Sequence, residues 1–369
     1  MSSSSFDSEV RVAQRAEVDL ACDNCSGALR WAPEERALSC EHCGQMRSLE
    51  QQEGTIEERP IEDAGQGARG LGLATRTLEC GTCGARVVLG GAGTSQSCAF
   101  CGSASLLDME DRRNPLSPES LIPLELGREQ AQQRFRAWIR GLWFRPNALR
   151  RAALDEGSGV YVPAWTFDCQ VHSGWSAEAG HYYYVNQSYT VRVGGRSQRR
   201  TRRVRRTRWV SARGQRDDFF DDLQVLASRG IVQEVAARLG AFDTKQLVPY
   251  RPEYLAGWRA EEYQIDLLQG WDQAHERVVR IQRQRCARDV PGDTQRGLRV
   301  QNRIRDVRWK LVLLPIWSMV YSYGGKNYAV LVNGQTGQVS GQAPYSWVKI
   351  ALAILLGAAL IAAVASFSQ

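Results

Sequence analysis

Two groups of four cysteines have the residue type and the spacing of metal sites. Each group consists of a C-x2-C pair, fourteen further residues and a second C-x2-C pair. The eight cysteines are Cys22, Cys25, Cys40 and Cys43 in the first group and Cys80, Cys83, Cys98 and Cys101 in the second. Two tight turns that each present two thiolates complete a tetrahedral four-sulfur site with no open position, as zinc prefers in structural sites. The sequence therefore predicts two zinc ions per chain.

Each group also has the features of a short hairpin folded around a metal. Gly44, Gly84 and Gly102 directly follow the second cysteine of a pair, where the turn favours a residue that tolerates positive φ. We expect zinc ribbons over 18–50 and 74–108. Two disulfide pairs are the alternative, but they require an oxidising compartment. No apolar signal segment precedes the first group, so we expect reduced, metal-bound cysteines in the cytoplasm.

The segment 348–367 has the length and composition of a transmembrane helix. Residues 350–367 carry no charge and would form a helix of about 27 Å, close to the thickness of the hydrocarbon core of a bilayer. Trp347 and Lys349 lie where interfacial anchors are expected. A buried helix of a soluble domain is the alternative. Because the basic residues all precede Ile350, we expect a single-pass, tail-anchored protein of the bacterial cytoplasmic (inner) membrane, in contact with lipid, with its N-terminal bulk in the cytoplasm.

The remaining residues indicate an α+β fold. Apolar side chains at helical spacing predict helices over 129–143 and 256–288, and runs of β-branched and aromatic residues predict antiparallel strands before and after the long helix. The expected organisation is a disordered leader (1–17), a linker between the ribbons (51–73), and an α+β body of antiparallel sheet with a long helix (115–346).

Two strings in the body follow the same pattern, apolar-Pro-apolar-Trp. They are Val162–Trp165 and Leu314–Trp317, and each opens a predicted strand that reaches a glycine-containing turn. The repetition predicts that the body consists of two similar halves, about 120–225 and 245–342.

One predicted strand concentrates positive charge. It carries Arg199, Arg200, Arg202, Arg203, Arg205, Arg206 and Arg208, followed by Trp209. The stretch 179–216 contains no acidic residue. The strand could bind nucleic-acid phosphates with Trp209 stacking on bases, anionic lipid headgroups, or an acidic partner protein. A solvated sheet edge is the fourth interpretation. The chain has a net charge of +7 and its basic residues are nearly all arginine, a skew that is more often due to genomic base composition than to function.

No catalytic constellation is present in the sequence. The four histidines are scattered, no G-x-x-x-x-G-K-[ST] phosphate loop occurs, and both predicted zinc sites are closed. We therefore expect a protein that is not an enzyme, and in particular neither a helicase nor an ATPase.

Several strings resemble a family of bacterial membrane-associated double zinc-ribbon proteins. They are Tyr161–Asp168, Arg205–Trp209, Phe219–Asp222, Leu314–Trp317, Tyr323–Tyr328 and Val332–Gly341. The family is often labelled primosomal-protein-N′-like or replication-helicase-like because of its cysteine ribbons. The resemblance implies partnership with SPFH (band 7, flotillin-like) membrane proteins and supplies no catalytic residues. We expect an adaptor that recruits such a scaffold in membrane organisation or envelope stress. The alternative is a membrane-tethered nucleic-acid-binding protein related to replication, and the oligomeric state stays open.

Overall fold

The computed structural model of the chain gives a mixed α/β architecture. It describes residues 14–49, 55–64, 66–73, 75–90, 96–109, 115–151, 157–194, 196–230, 233–236 and 238–367. Within these ranges twelve strands form one sheet and three short strands form another.

Fifteen strands and four α-helices occur along the described chain. The strands are β1 (Leu29–Ala32), β2 (Ala37–Cys40), β3 (Met46–Ser48), β4 (Arg59–Pro60), β5 (Thr75–Cys80), β6 (Arg86–Gly90), β7 (Leu106–Met109), β8 (Ser120–Leu121), β9 (Ser158–Val193), β10 (Arg196–Leu226), β11 (Val248–Pro249), β12 (Arg259–Glu261), β13 (Thr294–Tyr323), β14 (Lys326–Asn333) and β15 (Val339–Gly341). The helices are α1 (Arg128–Gly141), α2 (Gln233–Ala236), α3 (Leu267–Asp289) and α4 (Trp347–Phe367).

Two long strands, β9 and β13, form the centre of the large sheet. They pair antiparallel from Gly180 opposite Thr294 to Tyr161 opposite Pro315. The two apolar-Pro-apolar-Trp strings lie in this ladder, with Val162 directly opposite the equivalent Leu314. Each string therefore faces the other across an approximate two-fold axis.

The same two-fold relation extends to the elements around the ladder. The Trp165 indole N–H donates to the carbonyl of Ile265, just before α3, at 2.8 Å. The Trp317 indole N–H donates to the carbonyl of Leu126, just before α1, at 2.9 Å. The short strands β8 and β12 pair parallel with β13 and β9 respectively. The strands β9 and β13 thus each bind the entry of one helix and pair with one short strand.

The two cysteine-bearing segments join the body in different ways. The first forms its own sheet, β1–β2–β3, and docks through Trp31, whose indole N–H donates to the Leu124 carbonyl and whose own carbonyl accepts from the Trp258 indole. The second, β5–β6–β7, belongs to the large sheet because β6 pairs antiparallel with β12.

The described part of the predicted linker (51–73) is packed on the body. β4 pairs with β13 opposite Trp309 and Arg308, and the Leu71 carbonyl accepts from the Tyr250 hydroxyl at 2.7 Å. Residues 14–17 of the predicted leader lie beside this segment, with Gln14 bridged to Arg69. Residues 1–13 and 51–54 lie outside the described residues.

The two predicted body helices are present, with one boundary corrected. The first, predicted over 129–143, is α1. The second, predicted over 256–288, begins only at Leu267, because Asp266 caps it by accepting the Gln269 backbone N–H at 2.8 Å. The residues before it include the short strand β12. The sequence did not indicate this strand, because Tyr263 lies at the helical spacing of apolar residues although its segment is not helical.

The last described helix, α4, is long and apolar enough to cross a membrane by length and composition. Its 18-residue window Trp347–Val364 has no residue buried in the protein. Apolar side chains that the body leaves uncovered are consistent with a lipid environment.

The contact between α3 and the sheet predicts a steric requirement at Gly270. A Cβ there would lie 2.6 Å from Trp165 Cδ1, whereas at Gly141 in α1 it would meet no atom within 4 Å. We expect Gly270→Ala to lower the free energy of unfolding by about 1–3 kcal/mol because the helix must move off the core. Gly141→Ala should leave it unchanged or raise it slightly. Urea unfolding of the detergent-solubilised chain measures both, and equal stabilities would contradict the packing.

A buried charged cluster predicts an inverted pH dependence. Burial, and then the hydrogen-bonded Glu58 carboxylate, raise the pKa of Asp168 to about 7, against about 3.9 in an unfolded chain. The folded state thus keeps a proton that the unfolded state releases, so stability falls as pH rises from about 4 to about 7. At pH 8 the free energy of unfolding of Asp168→Asn, which stays neutral, should exceed that of wild type by up to about 4 kcal/mol.

Asp108 provides a control of opposite sign for that measurement. A hydrogen bond from Arg76 lowers the pKa of Asp108, so its ion pair contributes stability above about pH 4 that is lost at lower pH. Asp108→Asn should therefore slightly lower the free energy of unfolding at pH 8. Urea midpoints that move in the same direction for both variants would contradict the assignment.

Candidate metal centres and basic face

Tight turns position the cysteines of each group. In each turn the residue after the second cysteine donates its backbone N–H to the carbonyl of the first, as Gly84 does to Cys80 at 2.8 Å. The predicted positive φ is confirmed at Gly44 (72°), Gly84 (73°) and Gly102 (71°). Ser26 holds the fourth such position at φ 58°, where the backbone tolerates a side chain less well.

The sulfur positions suit a tetrahedral metal ion. The Sγ–Sγ distances are 3.6 Å for Cys22–Cys43 and 3.5 Å for Cys25–Cys40. In the second group they are 3.6 Å for both Cys80–Cys101 and Cys83–Cys98. Four sulfurs placed about 2.3 Å from one zinc ion stand about 3.8 Å apart, whereas a disulfide requires about 2.05 Å.

The surroundings lower the pKa of some thiols in each group and raise that of others. Burial raises the pKa of the Cys101 thiol to about 11, and the pKa of Cys25 is raised to about 12. The backbone N–H of Gln45, with the Asn24 side chain, lowers the pKa of the Cys43 thiol to about 6. The neighbouring Cys83 thiol, with the backbone N–H groups of Cys101 and Phe100, lowers the pKa of Cys98 to about 5. Deprotonated sulfur is the form that binds a metal ion. Each group therefore has at least one thiol inclined to ionise and four sulfurs at the separations of a metal site. A metal ion bound by all four sulfurs would have no open position.

A third group of oxygen atoms has the separations of a metal site but already holds a cation. Carboxylate oxygens of Glu58, Asp168 and Asp222 lie within 4.8 Å of one another. The ammonium group of Lys310 lies 2.7 Å from both Glu58 Oε1 and Asp222 Oδ1. Lys310 supplies the positive charge there, so this cluster fastens β4 and its neighbours to β13.

The arginine-rich strand is one arm of a projecting hairpin. β10 pairs with β9 along its whole length, but β13 leaves β9 at Gly180. The thirteen residues 181–193 extend about 40 Å beyond that point as a two-stranded ribbon. The arginines predicted from the sequence are exposed, Trp209 is half-buried, and none of the seven forms an ion pair with a described carboxylate. Gly195, in the predicted turn, lies outside the described residues.

The pairing register divides these arginines between two faces. Arg203 lies over the Tyr184 ring at 4.3 Å and Arg205 over the Tyr182 ring at 4.2 Å, on one face. Arg200, Arg202, Arg206 and Arg208 lie on the opposite face, with Arg199 on the first. Arginine–aromatic stacking stiffens a ribbon that would otherwise be only marginally stable in water.

The first face continues onto the sheet and contains residues that sequence reasoning missed. Arg213 and Arg299 line an open groove of about 690 Å³ on the surface of β9, β10 and β13. Arg303 lines a second groove of about 570 Å³, whose lining also includes Asp217 and Asp218. Arg296 stacks over Trp209 at 4.2 Å and ties the groove region to the hairpin. We call Tyr182, Tyr184, Arg203, Arg205, Arg213, Arg299 and Arg303 the basic face. The sequence indicated Arg203 and Arg205, but only the register between distant strands adds Arg299 and Arg303 to the same face, so no local signal could have found that extension.

The predicted membrane anchors have different surroundings. Trp347 is 77% exposed. Lys349 does not extend freely, because its ammonium group donates to the Trp143 carbonyl at 3.1 Å and to Asn147 Oδ1 at 2.7 Å. Lys349 thus fastens the loop after α1 to the first turn of α4.

Comparison with known proteins gives one distant relative. The chain is 26% identical over 344 residues to a Bacillus subtilis (strain 168) protein described as "Uncharacterized protein YdjG". The alignment covers 90% of this chain and 92% of the other. No family model matches the chain, and no solved structure matches it. The similarity extends over most of both chains, and the relative's description names no activity.

The sulfur geometry predicts two metal ions per chain. Elemental analysis of protein purified without chelator should give about two zinc ions, and Cys43→Ser or Cys83→Ser should each remove about one because three ligands no longer close the site. Cys286→Ser is the matched control, since this buried cysteine lies in neither group, and it should keep both ions. Full metal content in the first two variants would contradict the assignment.

Proposed function

We propose that the protein is a non-enzymatic, membrane-anchored zinc-ribbon adaptor that presents the basic face to an acidic partner at the cytoplasmic side of the membrane. The two four-cysteine groups are zinc ribbons that stabilise the N-terminal third. The helix α4 is the membrane anchor. The observation that carries the proposal is the basic face itself, an exposed arginine–tyrosine surface along a projecting hairpin with no described carboxylate paired to its hairpin arginines.

Charge pairing elsewhere in the chain supports an intermolecular role for this surface. Arg216 and Arg285 both bind Asp218, at 2.5 and 2.8 Å, and Arg216 also binds Asp289 at 2.7 Å. The body therefore neutralises arginines where it packs them. Exposed guanidinium groups held on rigid strands suit carboxylates or phosphates of a partner, because the fork geometry binds such groups in pairs.

We infer that the partner is an SPFH-type membrane scaffold. The inference comes from the family resemblance of the body strings and agrees with the position that α4 would give the protein. A scaffold in the same membrane needs little affinity per contact, because anchoring raises the effective concentration of one partner near the other. Electrostatic complementarity would then set specificity and association rate more than total affinity.

Nucleic-acid binding is the second candidate, and one observation favours it. Tyr183 and Tyr184 are about half exposed on a ribbon that carries nine arginines over 181–208, the combination that binds single strands by stacking and phosphate contacts. The affinity for nucleic acid would fall steeply as the salt concentration rises, because each phosphate contact releases counterions.

The matched pair of hairpin variants tests the adaptor. Arg203→Gln with Arg205→Gln removes two charges from the basic face, and Arg202→Gln with Arg206→Gln removes two from the opposite face of the same ribbon. After purification of the full chain from detergent-solubilised membranes, we expect the first pair to lower co-purification of the SPFH-type protein at least about tenfold. The second pair should retain most of it.

Two outcomes would contradict parts of this proposal. Equal losses in both variants would mean that the charge of the ribbon, and not the basic face, attracts the partner. Recovery of no SPFH-type protein with the wild-type chain would remove the partner assignment. If salt-sensitive binding of single-stranded DNA or RNA were then lost selectively with Arg203→Gln and Arg205→Gln, the nucleic-acid function would replace the adaptor.

A further inference from the structure

The loop after α1 and the beginning of α4 form one continuous surface. The Ser346 backbone N–H donates to the Phe144 carbonyl at 2.8 Å, and Lys349 binds the Trp143 carbonyl and Asn147. The Arg145 guanidinium stacks over the Tyr345 ring at 3.6 Å. These contacts hold a loop from the first half of the body against the helix from the end of the chain.

This surface exposes aromatic side chains that the body has no reason to leave uncovered. Trp143 is 74% exposed and Trp347 is 77% exposed, and Phe144 and Tyr345 are exposed beside them. We call Trp143, Phe144, Arg145, Tyr345 and Trp347 the foot. Tryptophan and tyrosine concentrate at membrane–water interfaces, where the ring is partly buried and its polar group stays wet.

An apolar groove runs from the foot along α4. It has a volume of about 390 Å³ and is lined by Phe144, Tyr345, Ile350, Ala353 and Ile354. The three α4 residues are spaced three and four apart and so share one helix face. The groove therefore begins beside the Arg145 charge and extends in the direction of the apolar helix.

The segments that build the foot carry charge of one sign. The stretches 130–154 and 307–369, which supply the loop and α4, contain no aspartate or glutamate. Arg136 and Arg140 are exposed on α1 just before the loop. A groove with an apolar floor and a cationic mouth complements an amphiphile with an anionic headgroup, whereas an apolar partner helix would leave the arginines unmatched.

We propose that the foot is a binding site for an anionic phospholipid. An acyl chain lies in the groove between Phe144 and Ile354, and the phosphate lies toward Arg145 at the level of the interfacial aromatic rings. The site would orient the body against the bilayer surface instead of leaving it on a flexible tether. This inference rests on the proposed anchoring by α4 and adds a second, separately testable membrane contact.

Fluorescence quenching by brominated lipid tests the site in the full chain. The protein is reconstituted in phosphatidylcholine vesicles that contain a fixed minor fraction of brominated phosphatidylglycerol or brominated phosphatidylcholine. The difference in quenching between wild type and Trp143→Phe is the part of the quenching that is due to Trp143, called here the Trp143 share. We expect this share to be up to about five-fold larger with the anionic lipid, the enrichment expected for about 1 kcal/mol from one basic residue near the surface.

Further variants separate the foot from the anchor. Arg145→Gln should abolish the difference between the two lipids, while Arg283→Gln, at an exposed position of α3, should preserve it. A Trp143 share that is equal for both lipids overturns the proposed site. If Trp347→Phe removes quenching and Trp143→Phe does not, α4 is inserted but the foot does not contact lipid. If neither removes quenching, both the anchor and the foot are overturned.

Discussion

The antiparallel ladder between β9 and β13 is the interaction on which the rest of the structure depends. It places Trp165 and Trp309 in edge-to-face contact at 5.6 Å, and both rings are almost fully buried. A shift of one residue in this pairing would turn every side chain to the other face of the sheet. The tryptophans, whose burial contributes most to the core, therefore fix the register. The same register sets which helix entry each half binds and which arginines share the basic face.

The two cysteine groups depend on this ladder in different degrees. The cysteines of the second group are close together in sequence, but they lie in or beside strands of the large sheet. Its strand β6 pairs with β12, so the two strands must form together. The first group has its own small sheet and meets the body mainly through Trp31, which lies between Leu124 and Trp258. Loss of metal from the second site should therefore disturb the central sheet directly. Loss from the first should release a module whose docking surface on the body remains formed.

The features that the sequence predicts well are those that local spacing determines. The cysteine groups, the three glycine turns and α1 depend on residues within one turn or hairpin, and the structure has them where the spacing indicates. The start of α3 was misplaced because Tyr263 continues the apolar stripe although Asp266 caps the helix three residues later. The extension of the basic face onto the sheet was not predictable, because Arg213 and Arg299 come together only through a pairing between strands far apart in sequence.

The distribution of carboxylates is more informative about the hairpin than the number of arginines. A genomic preference for arginine would place guanidinium groups throughout the chain, and they do occur in α1, α3 and β13. It would not remove acidic residues from one ribbon while leaving Asp218 and Asp289 to neutralise Arg216 at its base. An unsupported two-stranded ribbon is costly to order, and mutual repulsion among its arginines adds to that cost. The described residues of 181–208 contact the body at the base of the hairpin, where the Tyr182 backbone N–H donates to Asp293 Oδ2 at 2.7 Å. An interaction outside the chain would give a physical reason for the long cationic ribbon beyond that contact.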